Sequence, residues 1–82
     1  MTDNDHYKDL NAEIGRWLAY HRKLRGLSQS EVAERLGVTK TAVHYWETGK
    51  RMIYAKTMMD YCHLLDIDPQ DLVRDVTNTR KE

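Results

Sequence analysis

Apolar residues recur along most of this chain at the three-to-four spacing of an amphipathic helix. From Leu10 onward they fall at Ile14, Trp17, Leu18, Leu24 and Leu27, which predicts a first helix from about Asn11 to Arg25. Gly26 stands where a helix stop belongs, and Lys23 and Arg25 suit the negative end of the last turn. Ser28-Gln29-Ser30-Glu31 is a capping box, so a second helix is expected over about 29–36, with Val32, Ala33 and Leu36 on one face. Gly37 ends it. Thr39 is the next N-cap, and a third helix over about 40–48 turns Ala42, Val43 and Trp46 inward, to be stopped by Gly49. A loop of about 49–54 leads to a fourth helix over about 55–65, where Met58, Tyr61, Cys62 and Leu65 share a face. Asp68-Pro69 opens a short fifth helix, about 69–75, whose Leu72 and Val73 can close the core. Residues 1–10 lack periodicity and read as a mobile arm, and residues 76–82 read as a frayed tail. No hairpin signal is present, so the expected fold is an all-α, five-helix bundle with one domain over residues 11–75.

The second and third helices are too short to stand alone and must be held by packing. They are joined by Leu36-Gly37-Val38-Thr39. Small Ala33 lets the two approach closely, and Gly37 tolerates the positive φ of a sharp turn. This is how a helix-turn-helix is built, with its second helix free to enter a major groove.

Composition narrows the function classes. Eighty-two residues, 40% hydrophobic and 32% charged, suit one small globular domain and leave little room for a catalytic cleft with its support. No apolar run is long enough to span a membrane, and the polar, acidic start is no secretory signal. The single Cys62 forms no internal disulfide and no zinc framework, so a reducing, cytoplasmic setting is expected. Cys62-His63, His21 and His6 do not form a metal site by spacing, and Cys62 is read as a small core hydrophobe. No phosphate loop, nucleophile triad or paired-carboxylate arrangement is present, so neither an enzyme nor a bound cofactor is expected.

Net charge is zero, but it is segregated. Residues 1–15 carry one base and four acids, net −3; residues 16–51 carry eight bases and three acids, net +5; residues 52–82 carry four bases and six acids, net −2. Salt screens beyond about 8–10 Å, so a neutral molecule can still present a locally positive face. The positive block coincides with the helix-turn-helix. Overall neutrality predicts weak non-specific affinity for nucleic acid, since that affinity comes from neutralised phosphates.

The run Leu27-Ser28-Gln29, Val32-Ala33, Leu36-Gly37-Val38-Thr39, Val43, Trp46-Glu47 and Gly49-Lys50-Arg51 resembles the Cro and phage-repressor helix-turn-helix family, also called XRE. The resemblance continues in register through Met58, Tyr61, Cys62, Leu65, Ile67 and Leu72. It implies a lambda-repressor-like five-helix fold, and a sequence-specific DNA-binding transcriptional regulator, usually a homodimeric repressor on a palindromic double-stranded operator. On the third helix, residues 40, 41, 44, 45 and 48 lie opposite the core stripe. Lys40, Thr41 and Tyr45 match the family positions that usually touch base edges, and His44 lies beside them. Gln29 opens the second helix, where the dipole and free N–H groups attract phosphate, and the family usually makes a backbone contact there. Thr48, Lys50 and Arg51 are the further phosphate candidates. Arg22 and Glu47 match positions that the family pairs as a structural ion pair. His21 departs from the pattern, taking a place on the first helix that is usually aliphatic. The alternative reading is a protein-interaction module on the same fold, such as the antitoxin of a toxin–antitoxin pair or the target of an antirepressor, with DNA binding secondary or lost.

Overall fold

The computed structural model describes residues 3–80 and contains five helices, with no strand among the described residues. These are α1 (Asp3–Leu24), α2 (Gln29–Leu36), α3 (Lys40–Glu47), α4 (Ala55–Leu64) and α5 (Pro69–Arg80).

Local chemistry sets most of the boundaries. Ser28 Oγ accepts from the Glu31 N–H at 3.0 Å, and Glu31 Oε1 accepts from the Ser28 N–H at 2.8 Å, so the reciprocal box opens α2. Gly37, at φ 71°, closes α2 in the left-handed region and hands the chain directly to the next cap. Thr39 Oγ1 accepts from the Ala42 N–H at 3.1 Å and opens α3. Asp68 Oδ1 takes the Gln70 N–H at 2.9 Å, with Pro69 in the first helical position of α5.

The ends of the chain differ from expectation. α1 begins at Asp3, so residues 3–10 are helical where an aperiodic arm was expected; Met1 and Thr2 lie outside the described residues. Lack of apolar periodicity does not forbid a helix that extends beyond the body it packs on. α5 runs on to Arg80 rather than stopping near residue 75, and Lys81 and Glu82 lie outside the described residues. The physical reason is burial: Val76, assigned to the tail by sequence, is only 5% exposed, and it follows Leu72 by one turn on the same face. Val73, expected to close the core, points outward instead.

Leu18, Val32, Val43, Tyr61, Cys62, Leu65 and Leu72 form the fully buried centre, drawn from all five helices. Each such large aliphatic side chain contributes about 1.5–3 kcal/mol on burial. Trp46 is buried as expected, whereas Trp17 is only half-buried and lies over the core's edge, its Nε1 donating to Asp75 Oδ2 at 3.0 Å. His21 stands beside it, ring centroid 4.1 Å from that of Trp17 with the planes tilted by 44°, so an aromatic contact fills the place of an aliphatic one.

α1 and α3 come together at a glycine. A Cβ on Gly15 would lie 2.3 Å from the Trp46 carbonyl oxygen and 2.7 Å from that of Glu47. No side chain fits there, so α1 rests directly on the last turn of α3 and fixes its orientation.

Candidate nucleic-acid interface

α3 has two faces with different tasks. Val43, Trp46 and Glu47 are buried, while Lys40, Thr41, His44 and Thr48 are exposed and Tyr45 is half-buried at the boundary. The helix period puts Val43 and Trp46 opposite the exposed residues, while Glu47, two turns on from Lys40, lies buried at the flank of that exposed face. Gln29, at the start of α2, joins Lys40, Thr41, His44 and Tyr45 in lining one shallow, open depression. The residues expected at base edges are therefore brought together and uncovered within the described chain.

Lys50 and Arg51 close the other side. Both of their backbone N–H groups donate to the Tyr45 carbonyl, at 2.9 and 3.3 Å, so the chain doubles back over the end of α3. The Arg51 guanidinium then lies 5.3 Å from the Tyr45 ring centroid, and the Lys50 ammonium 5.9 Å. Each is within cation–π range. Tyr45 is thus a platform that holds two cations beside the exposed face of α3. Nothing in the sequence spacing announces this contact, because it forms after the helix has ended.

Thr48 is exposed, but its hydroxyl donates to the His44 carbonyl at 2.9 Å and caps the last turn of α3. Gln29 is half-buried, and its Nε2 donates to Glu47 Oε1 at 3.0 Å. One amide hydrogen is thereby committed to the interior, leaving the other for an outside acceptor.

Beneath this surface Arg22 and Glu47 are both 7% exposed and paired. Arg22 Nε donates to Glu47 Oε2 at 2.7 Å and Nη2 donates to Oε1 at 3.0 Å, the two-pronged geometry of guanidinium on carboxylate. Arg22 Nη1 also donates to the Leu27 carbonyl at 2.8 Å. Glu47 takes a further hydrogen bond from the Tyr61 hydroxyl. Burial by itself raises the pKa of Glu47, but the hydrogen bonds from Arg22, Gln29 and Tyr61 outweigh it, and the net shift is downward. Burial and the adjacent Glu47 carboxylate both push the Tyr61 hydroxyl up, so it remains a donor. Apolar periodicity places Tyr61 on the core face of α4 and nothing more. Its hydroxyl partner comes from another helix, and apolar periodicity carries no sign of it.

Among the described residues no group of His, Cys, Asp and Glu could hold a metal ion, and no helix is long and apolar enough to cross a membrane. The Cys62 thiol is buried, and burial pushes its pKa up to about 11, which makes it a poor ligand and a poor nucleophile at neutral pH.

Comparison with known proteins agrees with this geometry. The helix-turn-helix family model matches residues 18–72. The restriction-modification controller protein C.AhdI from Aeromonas hydrophila shares 31% identity at a TM-score of 0.72, over 78% of this chain and 96% of that one. The clp gene regulator ClgR from Corynebacterium glutamicum has the same fold, with a TM-score of 0.80 at 21% identity over 85% of this chain and 74% of that one. Comparison with curated proteins gives no match. With its short capped helices, its uncovered α3 and a family match across most of its length, the chain belongs to the XRE-type helix-turn-helix family of DNA-binding transcription regulators.

Proposed function

We propose that the protein is a sequence-specific regulator, acting as a repressor in the cytoplasm, that binds a palindromic double-stranded operator as a homodimer and catalyses no reaction. The observation that carries this reading is the exposed face of α3, with Lys40, Thr41 and His44 open to solvent and Tyr45 at its edge under two cations. In this reading α3 lies in the major groove. Lys40 donates to guanine O6 or N7, Thr41 meets a thymine methyl or a base edge, and His44 and Tyr45 read or buttress the neighbouring pair. Gln29, Lys50 and Arg51 bind backbone phosphates on the two sides and set register without reading sequence. Thr48 reaches a phosphate only by turning its hydroxyl out of the α3 cap.

A single short helix covers few base pairs, and two copies placed about 34 Å apart on a palindrome double the readout. An apolar groove where α1, α4 and α5 meet, lined by half-buried Leu10, Ile14 and Met58 with exposed Val73 at its rim, supports self-association there. The likeness to a controller protein supports a regulatory role.

Selection of bound duplexes from a random pool, followed by sequencing, tests this reading. A two-fold symmetric consensus is the expected result. Lys40→Ala or Thr41→Ala should then change sequence preference, while Lys50→Ala should weaken binding to all sequences alike. Recovery of an unenriched pool, or identical behaviour of the two classes of variant, would overturn it.

A further inference from the structure

Beside the exposed face of α3 lies a second cationic surface that the helix-turn-helix itself does not supply. Arg16, Tyr20 and Lys23 of α1 line a groove whose other wall is Gln29, His44 and Thr48. All three α1 residues are exposed, and Tyr20 presents 61% of its surface. The acid in this groove is Glu47, which is buried and neutralised by Arg22. Ion pairs among the described residues engage neither Arg16 nor Lys23. Arg16 and Lys23 are seven residues apart on one helix, so about 10 Å separates them along the axis. That equals about three base-pair rises along one DNA strand, each rise bringing a phosphate.

We infer that the Arg16–Tyr20–Lys23 stripe of α1 is an additional phosphate-binding surface, holding the stretch of DNA backbone that continues past Gln29 beyond the bases read by α3. The occupant follows from continuity and charge. The groove shares Gln29 and His44 with the depression on the α3 face, so a strand leaving that face enters it. Two exposed cations and a tyrosine hydroxyl then meet a polyanion. The stripe extends the footprint without adding sequence information. This inference rests on the DNA-binding reading above.

The test is the salt dependence of binding to the selected operator, measured between 50 and 200 mM salt. Each phosphate neutralised contributes about 0.9 to the slope of log affinity against log salt. Arg16→Ala/Lys23→Ala should lower that slope by about 1.8 per protomer, so the unmodified protomer loses about tenfold more affinity over this range than the variant does. The ranking of mutated operators should stay the same. Lys56→Ala/Arg74→Ala removes two cations from α4 and α5, where they face Asp60 and Asp71, and should leave the slope unchanged. Arg16 and Lys23 are exposed, so circular dichroism should report an intact helical fold. A slope equal to that of the unmodified protein, or an equal loss in the Lys56/Arg74 variant, overturns the inference and leaves the α3 reading standing. Absence of sequence preference in the unmodified protein overturns both.

Discussion

Glu47 is the residue on which the interior polar network converges. It accepts from Arg22 twice, from Gln29 and from Tyr61, and so ties α1, the start of α2, the end of α3 and α4 to one carboxylate. Removing one partner of a buried pair leaves the other charged and unpaired, at a cost of about 3–5 kcal/mol. Arg22→Ala should therefore lose about that much stability in urea melts, and Tyr61→Phe less, about 1.5–3 kcal/mol for one hydrogen bond to a charged group. The pH dependence has a definite sign. Glu47 titrates below the ordinary glutamate value of about 4.3 in the folded protein, so its stabilisation is fully present above that pH and is lost as pH falls. Measured against Glu47→Gln, the stability advantage of the native protein should hold from pH 7 to about 5 and shrink below about 4. Glu31 is also shifted down, chiefly by the backbone hydrogen bond from Ser28, but it is common to both proteins and cancels. Cys62 gives an independent readout of the same core. With its thiol pushed up to about 11 and buried, it should react with a thiol reagent at pH 7.5 only as fast as the protein unfolds.

At the scale of the elements, α2 and α3 have eight residues each, too few to persist in isolation. Their caps define where they begin, and their neighbours hold them. The contact between Gly15 and the last turn of α3 is the sharpest instance. Gly15→Ala would drive a methyl group to within 2.3 Å of a backbone oxygen, so α1 must lift from α3. The expected cost is about 1–3 kcal/mol or more, read as a lowered melting temperature, with weaker operator binding because α3 loses its seat. An unchanged melting temperature would show that α1 does not rest on α3 in this way. The helix starts at Ser28 and Thr39 and the stop at Gly37 were legible in the sequence because capping is settled within three or four residues. The length of α5 was not, since its last turns depend on Val76 reaching a core built from distant positions. The start of α1 escaped for a related reason: residues 3–10 are helical without an apolar stripe to announce it.

Across the whole molecule, neutrality conceals an arrangement. The exposed cations of α1, α3 and the following loop lie around the candidate DNA face. The described acids of the C-terminal third lie on α4, on α5 and in the turn between them, and Asp60 pairs with Lys56 at 2.8 Å and Asp71 with Arg74 at 2.9 Å. A surface balanced overall gives little long-range attraction for DNA, so sequence-independent affinity is limited to the few phosphates that this one face can neutralise. Affinity for an unrelated duplex at physiological salt should accordingly lie toward the weak end of roughly 10⁻⁴–10⁻⁶ M. A fluorescence titration with such a duplex checks this, and submicromolar binding would contradict it.

Hydrophobic spacing, caps and turn residues determined by themselves that this chain makes short helices, where α2 and α3 begin, and which side of α3 faces outward. Each of these is fixed by interactions within about one turn, and one turn of sequence displays them. Tertiary structure alone decided that Gly15 admits the end of α3 and that Tyr61 completes the Glu47 network. It also decided that the Arg16–Lys23 stripe of α1 borders the α3 face. These arrangements depend on how whole helices are placed, and helix placement follows from burying a shared core rather than from any local pattern.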